Sequence, residues 1–372
     1  MLRSPSMTRG GWLIVSSLAL LGCAESMERP LPARSCEVGA LEDLRFPAQL
    51  GPTLPDSLAH MCRAYVDREG RLIVGGAFAA APDWARPWRT HIARRESDGW
   101  VPVAPPLTSD EGIQELRGFA SSSRALYALL GDRVYAIEDG TFTALRMPGE
   151  ALEPLALVDG ADGWPLTAAY DGSALRLYEL REAGWEAVSD PLRGESPVRS
   201  GGRGLAVACD GRTVALMGLS AFELADDGSW RDLGAFSHEP VAYPAVAVSP
   251  DEVFVAWSGE RGDGYDQVFV ARHREGGGGF ALVDSPVPAR DPARLIVPWV
   301  SNRGEVFIAW RETHVRVGRL RGETWDVSPV GTYARLGTVP HLTGGPDGVP
   351  VLCWETFGAG AQLETSRAVP AM

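Results

Sequence analysis

Six stretches of this chain repeat one plan: an alternating apolar run, a tight turn rich in Gly and acidic residues, and an aromatic that opens a second run. They read THIARRESDGWVPVA, RVYAIEDGTFTAL, LRLYELREAGWEAVS, SAFELADDGSWRDLG, QVFVARHREGGGGFALV and VRVGRLRGETWDVS. The turn aromatics Trp100, Phe142, Trp185, Trp230, Phe280 and Trp325 stand 42, 43, 45, 50 and 45 residues apart. Within each unit the apolar period is two, so the units are strands and not helices. A strand unit recurring about every 45 residues is the length of a four-stranded propeller blade.

The rest of each unit agrees. A second apolar strand precedes each hairpin, as in EVFVAW and EVFIAW, and a still earlier strand precedes that, often joined through Asp-Gly turns at Asp210-Gly211 and Asp347-Gly348. Asp-Gly between apolar runs signals a hairpin because both residues tolerate the positive φ of the turn. Seven second strands but only six terminal hairpins occur, and the last unit stops short of an outermost strand. The segment LEDLRFPAQLG around Phe46 has the character of the missing strand. The expectation is an all-β chain: a β-propeller of seven four-stranded blades over residues 37–372, closed by an N-terminal strand that completes the last blade. Six or eight blades stay open, because the first unit carries extra residues. The repeat resembles the broad family of bacterial lipoprotein propellers with sialidase-like or kelch-like blades, a resemblance that concerns architecture and implies no activity.

At the N-terminus, Arg3 and Arg9 precede the apolar run WLIVSSLALL, which has the length of a signal-peptide core rather than of a bilayer span. Leu20-Leu21-Gly22-Cys23 resembles the lipobox of bacterial lipoproteins. That resemblance implies a signal peptide over 1–22, lipid on Cys23, a tether over 23–36, and, with Ala24 following the cysteine, an outer-membrane address. The alternative is an ordinary secretory signal. The net charge of −13 argues against nucleic acid as a partner. All 35 basic residues are Arg, so chemistry that needs a lysine is excluded. In an oxidising compartment Cys36, Cys62, Cys209 and Cys353 allow three pairings. Cys36 with Cys62 is the preferred one, since Cys209 and Cys353 lie in apolar strands and read as small buried hydrophobes.

Trp257, Trp310 and Trp354 end the second strand of three successive units and read as packing between blades. A sialidase reading fits poorly: ADDGSW has Asp226, Gly228 and Trp230 in the order of an Asp box but at the wrong spacing, and nothing pairs Arg63, Arg294 or Arg335 with a tyrosine nucleophile. No nucleophile elbow, zinc helix or phosphate loop is present in the sequence. The six histidines are scattered singly; His341, in an innermost strand that would face a central channel, is the one to check. Asp263 and Asp266 suggest a calcium loop only weakly, and no metal or cofactor is expected. Two long loops remain. One carries Trp84, Arg86, Trp88 and Arg89, the other Arg261 and Tyr265, and they are the expected binding residues because loops on a rigid scaffold carry recognition. The expected role is a lipid-anchored module that binds protein or glycan, with a glycan-active hydrolase or lyase in the central depression as the alternative. Cys23→Ala should release the protein from membranes into the soluble fraction; retention after carbonate washing would refute lipidation at this cysteine.

Overall fold

The computed structural model describes residues 44–45, 49–50, 58–79, 88–109, 115–149, 151–160, 162–198, 203–260, 266–283, 285–286, 294–311, 314–333, 340–345, 347–356 and 362–370. Every regular element among them is a strand; the strands form seven antiparallel sheets of four or five strands, each a blade, and one two-stranded pairing of Leu44–Arg45 with Val369–Pro370. Blades 1 to 6 are consecutive in sequence and begin with the innermost strands Leu58–Val66, Leu116–Ser121, Glu153–Asp159, Leu205–Val207, Ala242–Val248 and Arg294–Val300. Blade 7 is composite. Its inner three strands, His341–Gly344, Pro350–Thr356 and Gln362–Arg367, come from the C-terminal end, and Gln49–Leu50 adds the outermost strand by pairing with Glu364 and Thr365. The fold is therefore the expected seven-bladed propeller with an N-terminal closing strand. The extra residues of the first unit form an additional edge strand, Leu107–Ser109, on blade 1.

The repeated aromatics account for the packing. Trp257, Trp310 and Trp354 are buried, each between its own blade and the preceding one. Trp310, for example, packs with Phe254 and Val268 of blade 5, and Trp354 with Phe307 and Val317 of blade 6. The half-buried turn aromatics complete the same interblade clusters from the outside, Phe142, Trp230, Phe280 and Trp325 among them. Burying one such indole removes a large apolar area from water, and truncating it costs about 3–5 kcal/mol. The hairpin turns are those the residues call for: Gly211 and Gly348 take φ of 100° and 70°, while Asp210 Oδ1 accepts from Arg212 N and Asp347 Oδ1 from Val349 N.

One irregularity recurs. The innermost strands of five blades shift register near their starts, at His60/Arg63, Leu116/Gly118, Pro154/Ala156, Ala242/Ala245 and Arg294/Val297. A bulge leaves an extra residue out of the ladder and turns its side chain away from the regular alternation. In blade 2 that residue is Arg117. The next residue, Gly118, passes so close to blade 3 that a Cβ there would lie 2.4 Å from the Leu157 carbonyl oxygen, which only glycine permits.

The cysteines correct the sequence reading. Cys62 bonds Cys353, with 6.0 Å between their Cα atoms, so the expected Cys36–Cys62 pair is not formed. Cys62 is on the innermost strand of blade 1 and Cys353 on the second strand of blade 7, neighbours in the ring although 291 residues apart in the chain. Cys209 is disulfide-bonded as well, not a lone apolar residue, and its partner lies outside the described residues. A cross-link between such distant residues restricts the unfolded chain by about 5–6 kcal/mol in the chain-entropy account. The double variant Cys62→Ala/Cys353→Ala should therefore unfold at clearly lower urea, with about 2–5 kcal/mol lost; an unchanged midpoint would show that strand pairing alone secures the ring.

Candidate functional site in the central channel

The innermost strands of all seven blades surround a cavity of about 230 Å³ along the ring axis. Much of its wall is small and apolar, as at Ala64, Val158, Ala206 and Ala245. Its two ends differ. Where the innermost strands finish, Tyr65 Oη lies 2.9 Å from both Asp159 oxygens and donates to that carboxylate, while Ser121 Oγ is 2.6 Å from the same hydroxyl. The Ser121 amide also donates to Asp159 Oδ1 at 2.8 Å. These buried groups come from blades 1, 2 and 3, and their mutual hydrogen bonds make them a clasp between blades.

Where the innermost strands start, the wall is cationic. Arg63 from blade 1, Arg117 from blade 2, Arg203 just ahead of the blade 4 strand and His341 from blade 7 all line the cavity. Arg63 is 1% exposed; its Nη2 is 3.6 Å from Glu115 Oε1 and its Nη1 donates to the Cys62 carbonyl. Arg117, turned inward by the bulge, has only long ion pairs, Nε at 3.5 Å from Glu115 and Nη1 at 3.8 Å from Glu153. Arg203 is 8% exposed, and its Nη1 donates to the Ile296 carbonyl of blade 6 at 3.3 Å. No carboxylate lies within 4 Å of its guanidinium among the described residues. Its backbone is held in place, since the Arg203 carbonyl accepts from Val246 N of blade 5. Burial works most strongly against the charged form of Arg203, the like charge of Arg63 adds to that, and Glu115 opposes it.

His341 sits at the joint of blades 7 and 1. Its Nδ1 accepts the Ala64 amide at 3.2 Å, which leaves Nε2 to carry the proton. Burial, then Arg63 and Arg203, hold this imidazole well below its ordinary range, so it is neutral at physiological pH. On the neighbouring blade 6 Trp299 packs on Phe307, and its ring fills the space where a Cβ on Gly344, at the end of the His341 strand, would stand.

Of the residues singled out in the sequence, the structure brings Arg63 and His341 together in this channel. Trp88 is buried in the third strand of blade 1 against Ala77, with no face open to a ligand, and Arg89 is exposed beside it. Trp84, Arg86, Arg261, Tyr265, Asp263, Arg335, Cys36 and Cys23 lie outside the described residues. Asp266 opens the third strand of blade 5 and Arg294 the innermost strand of blade 6. Arg117 and Arg203 were missed: the signal available was an Arg-Gly step ahead of an innermost strand, RGFAS and RGLAV, which reads as an ordinary turn in sequence.

No protein-family model matches the chain, and no curated protein sequence does. Solved structures share the fold. A streptogramin B lyase is 14% identical, with 88% of this chain and 98% of that one covered at a TM-score of 0.54. A catalytically inactive virginiamycin B lyase from Staphylococcus aureus, with quinupristin, is 11% identical over 87% and 99% at 0.56. YCF48 from Cyanidioschyzon merolae is 11% identical over 86% and 98% at 0.56. At such identities the likeness is one of fold: this chain is a seven-bladed β-propeller.

His341 gives the channel a pH signature. Below about pH 6.5 the unfolded chain takes up a proton that the folded imidazole refuses, so this group costs stability as pH falls. Protonation would also oppose the Ala64 hydrogen bond beside Arg63 and Arg203. His341→Asn, which keeps an acceptor near Nδ1, should flatten the loss of stability between pH 6.5 and 5 by up to about 1.4 kcal/mol per pH unit. Parallel urea stability curves for the two proteins would show that His341 titrates as in solvent.

Proposed function

We propose that this chain is a binding module of the cell envelope, anchored by lipid on Cys23, that holds a group of a protein or glycan partner in its central channel. The observation that carries the reading is the set of bulges near the starts of the innermost strands. They break the regular alternation at one end of the channel, and Arg63 and Arg117 line the cavity at two of them. Bulges are commonly placed where a side chain must be re-aimed for function. The surrounding sheets are rigid, which lowers the ordering cost of binding. The lipid anchor rests on the lipobox-like Leu20-Leu21-Gly22-Cys23, and the partner class on a scaffold that presents one face around a depression.

A lyase reading has one observation in its favour: His341 is a neutral imidazole in the channel, and it would serve as a general base by giving up the Ala64 hydrogen bond at Nδ1. The two readings separate in one experiment. The full-length protein is solubilised from membranes in mild detergent; partners are identified by co-purification and by glycan array, and the same preparation is incubated with a streptogramin B antibiotic. The binding reading expects a retained partner that Arg117→Gln releases, and an intact antibiotic. Cleavage of the antibiotic, abolished by His341→Asn, would overturn it.

A further inference from the structure

The guanidinium of Arg203 poses an energetic problem that the side chains of the described residues do not solve. It is buried, its Nε has no hydrogen-bond partner, and no carboxylate lies within ion-pairing distance among the described residues. Arg117, which lines the same cavity, has Nε and Nη1 without hydrogen-bond partners, its two carboxylate contacts being long. Among the described residues, the guanidinium groups of Arg63, Arg117 and Arg203 thus meet the two carboxylates of Glu115 and Glu153 at this end of the cavity. An arginine does not readily escape by losing its proton, because a guanidinium is intrinsically a far weaker acid than any other protein cation. Water satisfies the hydrogen bonds of such a group but does not neutralise it, and an uncompensated buried charge costs several kcal/mol. A fold that keeps this cost at the floor of an accessible cavity has a counter-charge to receive.

We propose that the starting end of the channel is a binding site for a small anion, a phosphate or carboxylate group, gripped by Arg203 and Arg117 with Arg63 behind them and with the Nε2–H of His341 as a neutral donor. This rests on the channel-binding reading and names its ligand chemistry. Guanidinium forks match the paired oxygens of phosphate and carboxylate, and such charge-assisted bonds are about twice as strong as neutral ones. Size restricts the occupant further: 230 Å³ is below the range of about 300–1,000 Å³ typical of drug-sized ligand sites, so the anionic group enters alone or on a short stem. The small apolar residues deeper in the channel would accept such a stem.

The test is thermal unfolding and calorimetry of the full-length detergent-solubilised protein, in a buffer free of phosphate and carboxylate, titrated with inorganic phosphate and, separately, with succinate. Wild type should show saturable stabilisation by at least one of them, and the arm with the lower Kd identifies the group. Arg203→Gln should weaken that binding at least tenfold. It should also leave the anion-free protein as stable as wild type or more so, because the unneutralised charge is gone; a merely structural arginine would destabilise on removal. Arg117→Gln, on the bulge, should weaken binding without changing anion-free stability. Absence of saturable stabilisation by either anion, or equal stabilisation of wild type and Arg203→Gln, overturns the proposal. If a partner still co-purifies in that case, the binding reading survives while its anionic chemistry falls; if anions bind and no partner is retained, the reverse holds.

Discussion

The joint between blades 7 and 1 is the constraint on which the ring depends. Every other pair of neighbouring blades is tied by a continuous chain, whereas these two meet only by folding the ends of the sequence together. Three kinds of bond secure the meeting: the Gln49–Leu50 strand on the edge of blade 7, the Cys62–Cys353 disulfide, and the Ala64 amide given to His341. An open sheet edge at this place would invite pairing with other chains, and closure removes it. The joint also builds the channel site, because Arg63 and His341 come from its two sides. A ring loosened here would lose the geometry of the cationic end before it lost its blades.

What the sequence reveals follows from what repeats. Strand periodicity and aromatics about 45 residues apart are properties of each blade by itself, so the seven blades and the packing role of Trp257, Trp310 and Trp354 were legible. The closing strand was legible too, at a slightly later position than Phe46, because a missing outer strand is a gap in a pattern. Ring adjacency is not a local property. Cys62 and Cys353 are neighbours only once seven blades have closed, and no spacing rule foretells a bond across 291 residues. The register shift that frees Arg117 is likewise invisible, since a bulge adds one residue to one strand and sequence does not mark which residue leaves the ladder. Trp88 shows the converse error: a tryptophan between arginines and prolines looks like a recognition loop, yet strand pairing with Ser109 and contact with Ala77 bury it.

The channel's charge also opposes that of the whole chain, and the two act over different distances. A net charge of −13 repels anions at long range, but salt screens that repulsion beyond about 8–10 Å. At the starting end of the cavity screening is weak and the nearest charges decide, and there, among the described residues, Arg63, Arg117 and Arg203 outnumber Glu115 and Glu153. The combination discriminates by size. An extended polyanion meets the acidic exterior along its length and cannot bring more than one group into 230 Å³. A small anion, or a single anionic group projecting from a larger partner, meets the repulsion briefly and the arginines fully. Specificity of this kind depends on Arg203 having no carboxylate partner among the described residues, since an internal partner at that position would neutralise the feature by which the channel selects.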